Sequence, residues 1–316
     1  MFLSRKIGSR KERKWFVVLA TSISVFFGLE AVAFLAGIFQ LATFLRVALI
    51  VYFFMILVAS LIFDVKLKIP RSWSRSAYYY QHTKQRVKKF FYILWRAFVM
   101  RFHYLRSWSH WLHFQNYLIL PAILYWGVVL LIFLNPFDHL RKQIFIICGT
   151  LMLAMVFWFF KTVFTSYSST ILEVRYLMFA VMVISGFMVY TAVLGISWYL
   201  GLKDGVFLIM VAVLTFLLLY QSLFHHSLLD LRANLRYALF GALFMLLPAY
   251  LVTKYWSVNY YTAGVLLAGC LHWYWSNVLQ WLQKRLTWKR ALEYTALFLF
   301  IVLFALATTN FHARIG

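Results

Sequence analysis

The stretch Tyr176-Leu-Met-Phe-Ala-Val-Met-Val-Ile-Ser-Gly-Phe-Met-Val-Tyr-Thr-Ala-Val-Leu-Gly-Ile-Ser-Trp-Tyr-Leu200, followed by Gly201-Leu-Lys-Asp-Gly205 and Val206-Phe-Leu-Ile-Met-Val-Ala-Val-Leu-Thr-Phe-Leu-Leu-Leu-Tyr-Gln-Ser-Leu-Phe224, decides the class of fold. Neither long run contains an Asp, Glu, Lys, Arg or His. At 1.5 Å rise per residue, about 20 residues cross the hydrocarbon of a bilayer, and each run is that long. A surface helix of a soluble protein would show one apolar stripe and one polar face instead. The short turn holding Lys203 and Asp204 makes the pair a helical hairpin of two membrane spans.

The same rule, carried outward, yields seven more candidates. These are Phe16–Gly37, Thr43–Phe63, Tyr117–Leu134, Ile144–Phe164, Tyr237–Thr253, Tyr261–Trp281 and Ala291–Thr309. The third is closed by Asn135-Pro136, a helix stop. Tyr261–Trp281 is the wettest, and Glu30 interrupts the first, so the expectation is eight to nine spans. Composition agrees. Hydrophobic residues make up 64% of the 316, aromatics 21% and charged residues only 12%. Mean hydropathy is +0.80. That excludes disorder and a soluble domain, which would lack the polar surface to cover itself. The expected fold is therefore all-α: a polytopic integral membrane protein.

The formal net charge of +23 would point to nucleic acid in a soluble chain. In a multi-pass protein, lysine and arginine collect instead in cytoplasmic loops. With nine spans and a cytoplasmic N-terminus, 25 of the 31 basic residues fall on the cytoplasmic side and 6 on the other. A missed helix would invert every later loop and destroy that split. The expected location is the plasma (cytoplasmic) membrane, with the N-terminus cytoplasmic and the C-terminus on the opposite side, and with no nucleic-acid partner. The basic start, Arg5 to Lys14, runs into an apolar stretch too long for a cleaved signal and reads as a retained first span.

Three regions follow: a basic N-terminus and transmembrane hairpin (1–63), a basic cytoplasmic segment (64–116) and a helix bundle (117–316). Within the middle region Phe91, Leu94, Trp95, Phe98, Phe102 and Leu105 recur at three and four residues, on one helical stripe. Lys84, Arg86, Lys88, Lys89, Arg96, Arg101 and Arg106 lie in and around it. An amphipathic helix of this kind lies in the interfacial plane, aromatics at the acyl boundary and cations among anionic headgroups. Anionic membrane lipids are the expected partners, together with possible membrane-protein subunits.

Few polar residues lie inside the spans. Glu30 and Arg46 each stand eight positions from Ile38 at the turn of the first hairpin, so matching depth predicts a structural ion pair. His272, with Asn277 and Gln280 on the same helix, reads as interhelical hydrogen bonding. Cys148 and Cys270 read as small hydrophobes without a disulfide framework.

Histidines also gather at the cytoplasmic face. His110-Trp-Leu-His113 precedes the third span, and Gln221-Ser-Leu-Phe-His225-His226-Ser-Leu-Leu-Asp230 follows the sixth. Imidazoles suit transition metals, which makes His110, His113, His225 and His226 candidate metal ligands. His225, His226 and Asp230 are the candidate catalytic set, with histidine as base and aspartate as its orienter. The HxxH and QxxxHH patterns resemble fragments of the histidine boxes of membrane di-iron desaturases without completing them. His225 and Asp230 stand in the H-x4-D spacing of glycerolipid acyltransferases, but the Gly/Pro-rich blocks of that family are missing.

No nucleotide-binding, zinc-protease or serine-hydrolase motif occurs, and no cofactor is identified. The leading expectation is a non-enzymatic structural, assembly or partner-binding subunit presenting a basic, lipid-facing platform. The second is a lipid-acting or metal-dependent enzyme built on the histidines and Asp230. The third is a transporter or channel using Glu30, Arg46 and His272.

Overall fold

The structure, a computed structural model, describes residues 4–63, 92, 108–135, 138–165, 172–226, 231–256 and 259–309. Among these, nine helices and no strand are found: α1 (Ser4–Ala36), α2 (Leu41–Phe63), α3 (Trp108–Leu134), α4 (His139–Thr165), α5 (Leu172–Tyr199), α6 (Asp204–His226), α7 (Leu231–Tyr255), α8 (Tyr260–Leu282) and α9 (Trp288–Thr308). Five stretches are long and apolar enough to cross a membrane: His139–Phe157, Phe179–Tyr199, Asp204–Phe224, Leu231–Tyr255 and Trp288–Thr308. Thr21–Ala36, Leu41–Met55 and Ile119–Leu134 are shorter apolar stretches. The amphipathic stripe from Phe91 to Leu105 lies outside the described residues, where only Tyr92 appears, helical and exposed.

Helix α5 is the centre, bordered by α3, α4, α6 and α8. Its approach to α3 depends on Gly127. A Cβ there would lie 2.9 Å from Met188 Cβ and 3.1 Å from the Val189 backbone nitrogen, so any side chain would push the two helices apart. At Gly264 of α8 an added Cβ would collide with Thr191 of α5. Close backbone approach through small residues is how helices associate where lipid removes the hydrophobic drive. Hydroxyls on the central helices return to their own backbone. Ser185, Thr191, Ser197 and Thr215 each donate to the carbonyl four residues earlier at 2.7 Å. Tyr190 and Thr215 share a further 2.7 Å hydrogen bond between α5 and α6. Each of these hydroxyls is thus satisfied inside the apolar core.

The connections show which helix ends share a level. At one end, Lys142 Nζ of α4 donates to Ala33 O in the last turn of α1 at 2.8 Å. Tyr260 OH at the start of α8 donates to Asn135 Oδ1 just beyond α3 at 2.7 Å. Lys254 near the end of α7 pairs with Asp204 at the start of α6 at 3.1 Å. At the opposite end, Tyr274 OH donates to Tyr237 O at 3.1 Å, and Arg290 Nη1 to Gln280 Oε1 at 3.0 Å. Consecutive helices from α3 to α9 therefore alternate in direction.

Two helix ends close in the same way. Beyond α5, Leu202 N–H donates to Ser197 O at 2.9 Å and Gly201 N–H to Trp198 O at 3.2 Å, with Gly201 at φ +61°. Beyond α8, Arg285 N–H donates to Gln280 O and Lys284 N–H to Trp281 O, both at 2.9 Å. These are Schellman closures, which need a left-handed residue after the helix. Glycine supplies it without strain at 201, whereas Lys284 holds φ +55° with a full side chain.

Helix α8 is missing from the membrane-crossing stretches above. Packing explains it. Its residues face α5, α7 and α9, and Leu267, Leu271 and Trp275 are fully buried. A helix covered by protein is released from the apolarity that lipid contact demands. Helix α9 is the converse: it packs chiefly on α8, and only 6% of its apolar stretch is buried.

Candidate functional site

The site with the clearest geometry lies between α5, α8 and α9. A cleft of about 240 Å³ is walled by Val183 and Phe187 of α5 and by Leu297 and Ile301 of α9. Its floor is α8, where Ala268 and Gly269 leave room that larger side chains would fill. Gly269 is already tight, since a Cβ would come 3.2 Å from Ile301 Cγ2. His272 supplies the polar group of this apolar lining.

The imidazole is held between two rings. Phe179 of α5 lies 5.3 Å from it, centroid to centroid, and Tyr294 of α9 lies 6.5 Å away at a near-perpendicular 75°. Neither ring nitrogen makes a hydrogen bond among the described residues. The adjacent Trp273 is different: its Nε1 donates to Thr295 Oγ1 at 3.1 Å, and that hydroxyl donates on to Ala291 O at 2.8 Å. Asn277 Nδ2 donates to Trp273 O within α8 at 2.8 Å, and Gln280 accepts from Arg290. Of the three polar residues on α8 expected to bond between helices, Gln280 does so, Asn277 bonds within its own helix, and His272 does neither.

The other sequence-derived candidates divide by what is described. Glu30 of α1 is half-buried and Arg46 of α2 is exposed, and no ion pair joins them among the described residues. The ion pairs among the described residues are Arg141–Asp138 and Lys254–Asp204. His110 and His113 lie in the first turns of α3, and His225 and His226 are the last residues of α6. The alternation of directions puts those two helix termini at the same end of the bundle. The four imidazoles, Asp230 and the basic set Lys84, Arg86, Lys88, Lys89, Arg96, Arg101 and Arg106 are outside the described side chains. Among the described residues no three His, Cys, Asp or Glu side chains cluster as a metal site. Cys148 is exposed and Cys270 half-buried, both as free thiols.

No protein-family model, curated protein or solved structure matches this chain.

Sequence reasoning found His272 but not its cleft. The signal was present as Ala268-Gly269, two small residues one turn before the histidine on the same face. Small residues in a membrane helix mark close packing as often as an opening, and Gly264 and Gly127 are of the packing kind. The Tyr260–Asn135 and Lys142–Ala33 contacts were also invisible, because each joins residues more than 100 positions apart.

Proposed function

We propose that the protein is a multi-pass membrane subunit, structural or partner-binding, that presents a basic platform to anionic lipids on the cytoplasmic side of the plasma membrane. The reading takes eight to nine spans, an inside N-terminus and an outside C-terminus. The observation that carries it is the placement of charge. Twenty-five of 31 basic residues fall on one side when consecutive spans alternate, and α3 to α9 do alternate, as the contacts between their ends require. Each lysine or arginine near an anionic surface contributes about 1 kcal/mol, so the seven-residue set from Lys84 to Arg106 is enough to hold several anionic headgroups.

The test uses the full chain in nanodiscs of phosphatidylcholine with a minor share of phosphatidylglycerol. Lipids retained after mild extraction are weighed by native mass spectrometry. Retention of phosphatidylglycerol is expected to fall steeply with salt, and to collapse when Lys84, Arg86, Lys88, Lys89, Arg96, Arg101 and Arg106 are changed together to Gln. Equal retention by both proteins would end the reading.

A second reading draws on the shared bundle end of the α3 start and the α6 terminus. There His110, His113, His225 and His226 would supply imidazoles to a metal, with Asp230 beside them. Its test is metal analysis of protein purified without chelators. Stoichiometric metal that disappears in the His113→Ala, His226→Ala double variant would favour an enzyme, and its absence would exclude one of this design.

A further inference from the structure

The cleft beside His272 has a direction. Val265, Ala268, Gly269 and His272 form one stripe at i, i+3, i+4 and i+7 on α8, faced by Val183 and Phe187 of α5. The groove therefore runs along the helix axes for about 10 Å. Val265 is nearer the Tyr260 end. His272 stands twelve residues in from Tyr260, about 18 Å along the axis, near the middle of the 23-residue helix.

Width selects the class of occupant. The free space along those 10 Å is about 240 Å³, room for a single hydrocarbon chain. Its walls are aliphatic and aromatic, and several lining residues are half-buried, so the groove opens on the surface of the bundle. An axial, apolar, open groove of one-chain width is the shape of an acyl chain descending from the leaflet at the Tyr260 end.

His272 adds a chemical demand. A neutral imidazole carries one donor and one acceptor, and hydrocarbon supplies a partner to neither. Here neither nitrogen is bonded by the described residues, although Trp273 beside it is. An occupant that satisfies the site must bring oxygen to mid-depth. We infer that the groove between α5, α8 and α9 binds the acyl chain of a membrane lipid that carries a hydroxyl partway along, with His272 as the hydrogen-bond partner of that hydroxyl.

The inference rests on the membrane reading but not on the basic platform, since the chain and not the headgroup is recognised. The experiment keeps the headgroup constant. Full-length protein in phosphatidylcholine nanodiscs is exposed to two phosphatidylglycerols, one with a stearoyl and one with a 12-hydroxystearoyl second chain. Native mass spectrometry reports which is retained. One hydrogen bond gained in hydrocarbon predicts a preference of about ten-fold for the hydroxylated chain. His272→Phe should remove the preference, while His272→Gln, which keeps a donor and an acceptor, should preserve it. Equal retention of the two chains by the native protein would overturn the inference, as would a preference that survives His272→Phe. Weak overall retention of phosphatidylglycerol with the preference for the hydroxylated chain intact would support the inference and count against the platform alone.

Discussion

Glu30 and Arg46 are equidistant from the hairpin turn, yet no ion pair joins them. The contacts of Gly28 give the reason. It faces Val51 and Met55, at 3.1 and 3.0 Å from an added Cβ, so the register of α1 on α2 is offset by about one turn from one placing Glu30 opposite Arg46. A double-mutant cycle of Glu30→Gln and Arg46→Gln, read as thermal stability in detergent, should show coupling below about 0.5 kcal/mol. A coupling well above that would mean the two meet after all. The Tyr260–Asn135 hydrogen bond is the opposite case, unreadable beforehand and explicit in space. Tyr260→Phe should cost about 0.6–1.7 kcal/mol, the range seen for hydrogen bonds between membrane helices. No change in melting would show that the bond is not used. His272 was legible as an intramembrane polar residue, because such residues are rare enough to stand out. Its cleft was not, because cleft walls come from three helices.

At the scale of the element, the apolar runs fixed where helices exist. The central positions of α5 and α6 follow directly from the uninterrupted stretches on either side of Gly201–Gly205. Helix ends were harder, since they are settled by closures and not by hydropathy. The closure after α8 holds Lys284 in the left-handed region, where a side chain costs about 1 kcal/mol or more. Lys284→Gly should therefore raise the melting temperature by relieving that strain, whereas Lys284→Ala should not. A stabilisation by alanine equal to that by glycine would assign the effect to charge. The end of α1 is closed differently, by the ammonium of Lys142 on Ala33 O. The last carbonyls of a helix have no partner within it and favour a cation. Lys142→Met should lower stability by roughly 1–2 kcal/mol, and Lys142→Arg by less.

For the whole molecule, the question is which side faces the cytoplasm. The proposed orientation rests on the 25-to-6 division of basic residues, a property of the sum that no single loop reveals. Cysteines introduced singly at Lys289 and Lys203, in a chain with Cys148 and Cys270 replaced by Ala, should react with an impermeant reagent on opposite faces of sealed vesicles. Labelling from the same face would refute the alternation. Layer order was the part that could not be read, since long apolar runs look alike whether they meet lipid or protein. α5 and α9 are both strongly apolar, yet one is the centre and the other lies at the edge. The modest hydropathy of α8 carries a consequence for biogenesis. A segment leaving the ribosome is sorted into lipid by its own partition energy, and α8 on its own has little to offer. Its polar side chains are tolerable only once α5 and α7 are already in place to cover them. The order of synthesis provides that condition, since both precede it. Moved ahead of them in a permuted gene, α8 should slip through the translocon, and a glycan acceptor placed after it would report the failure.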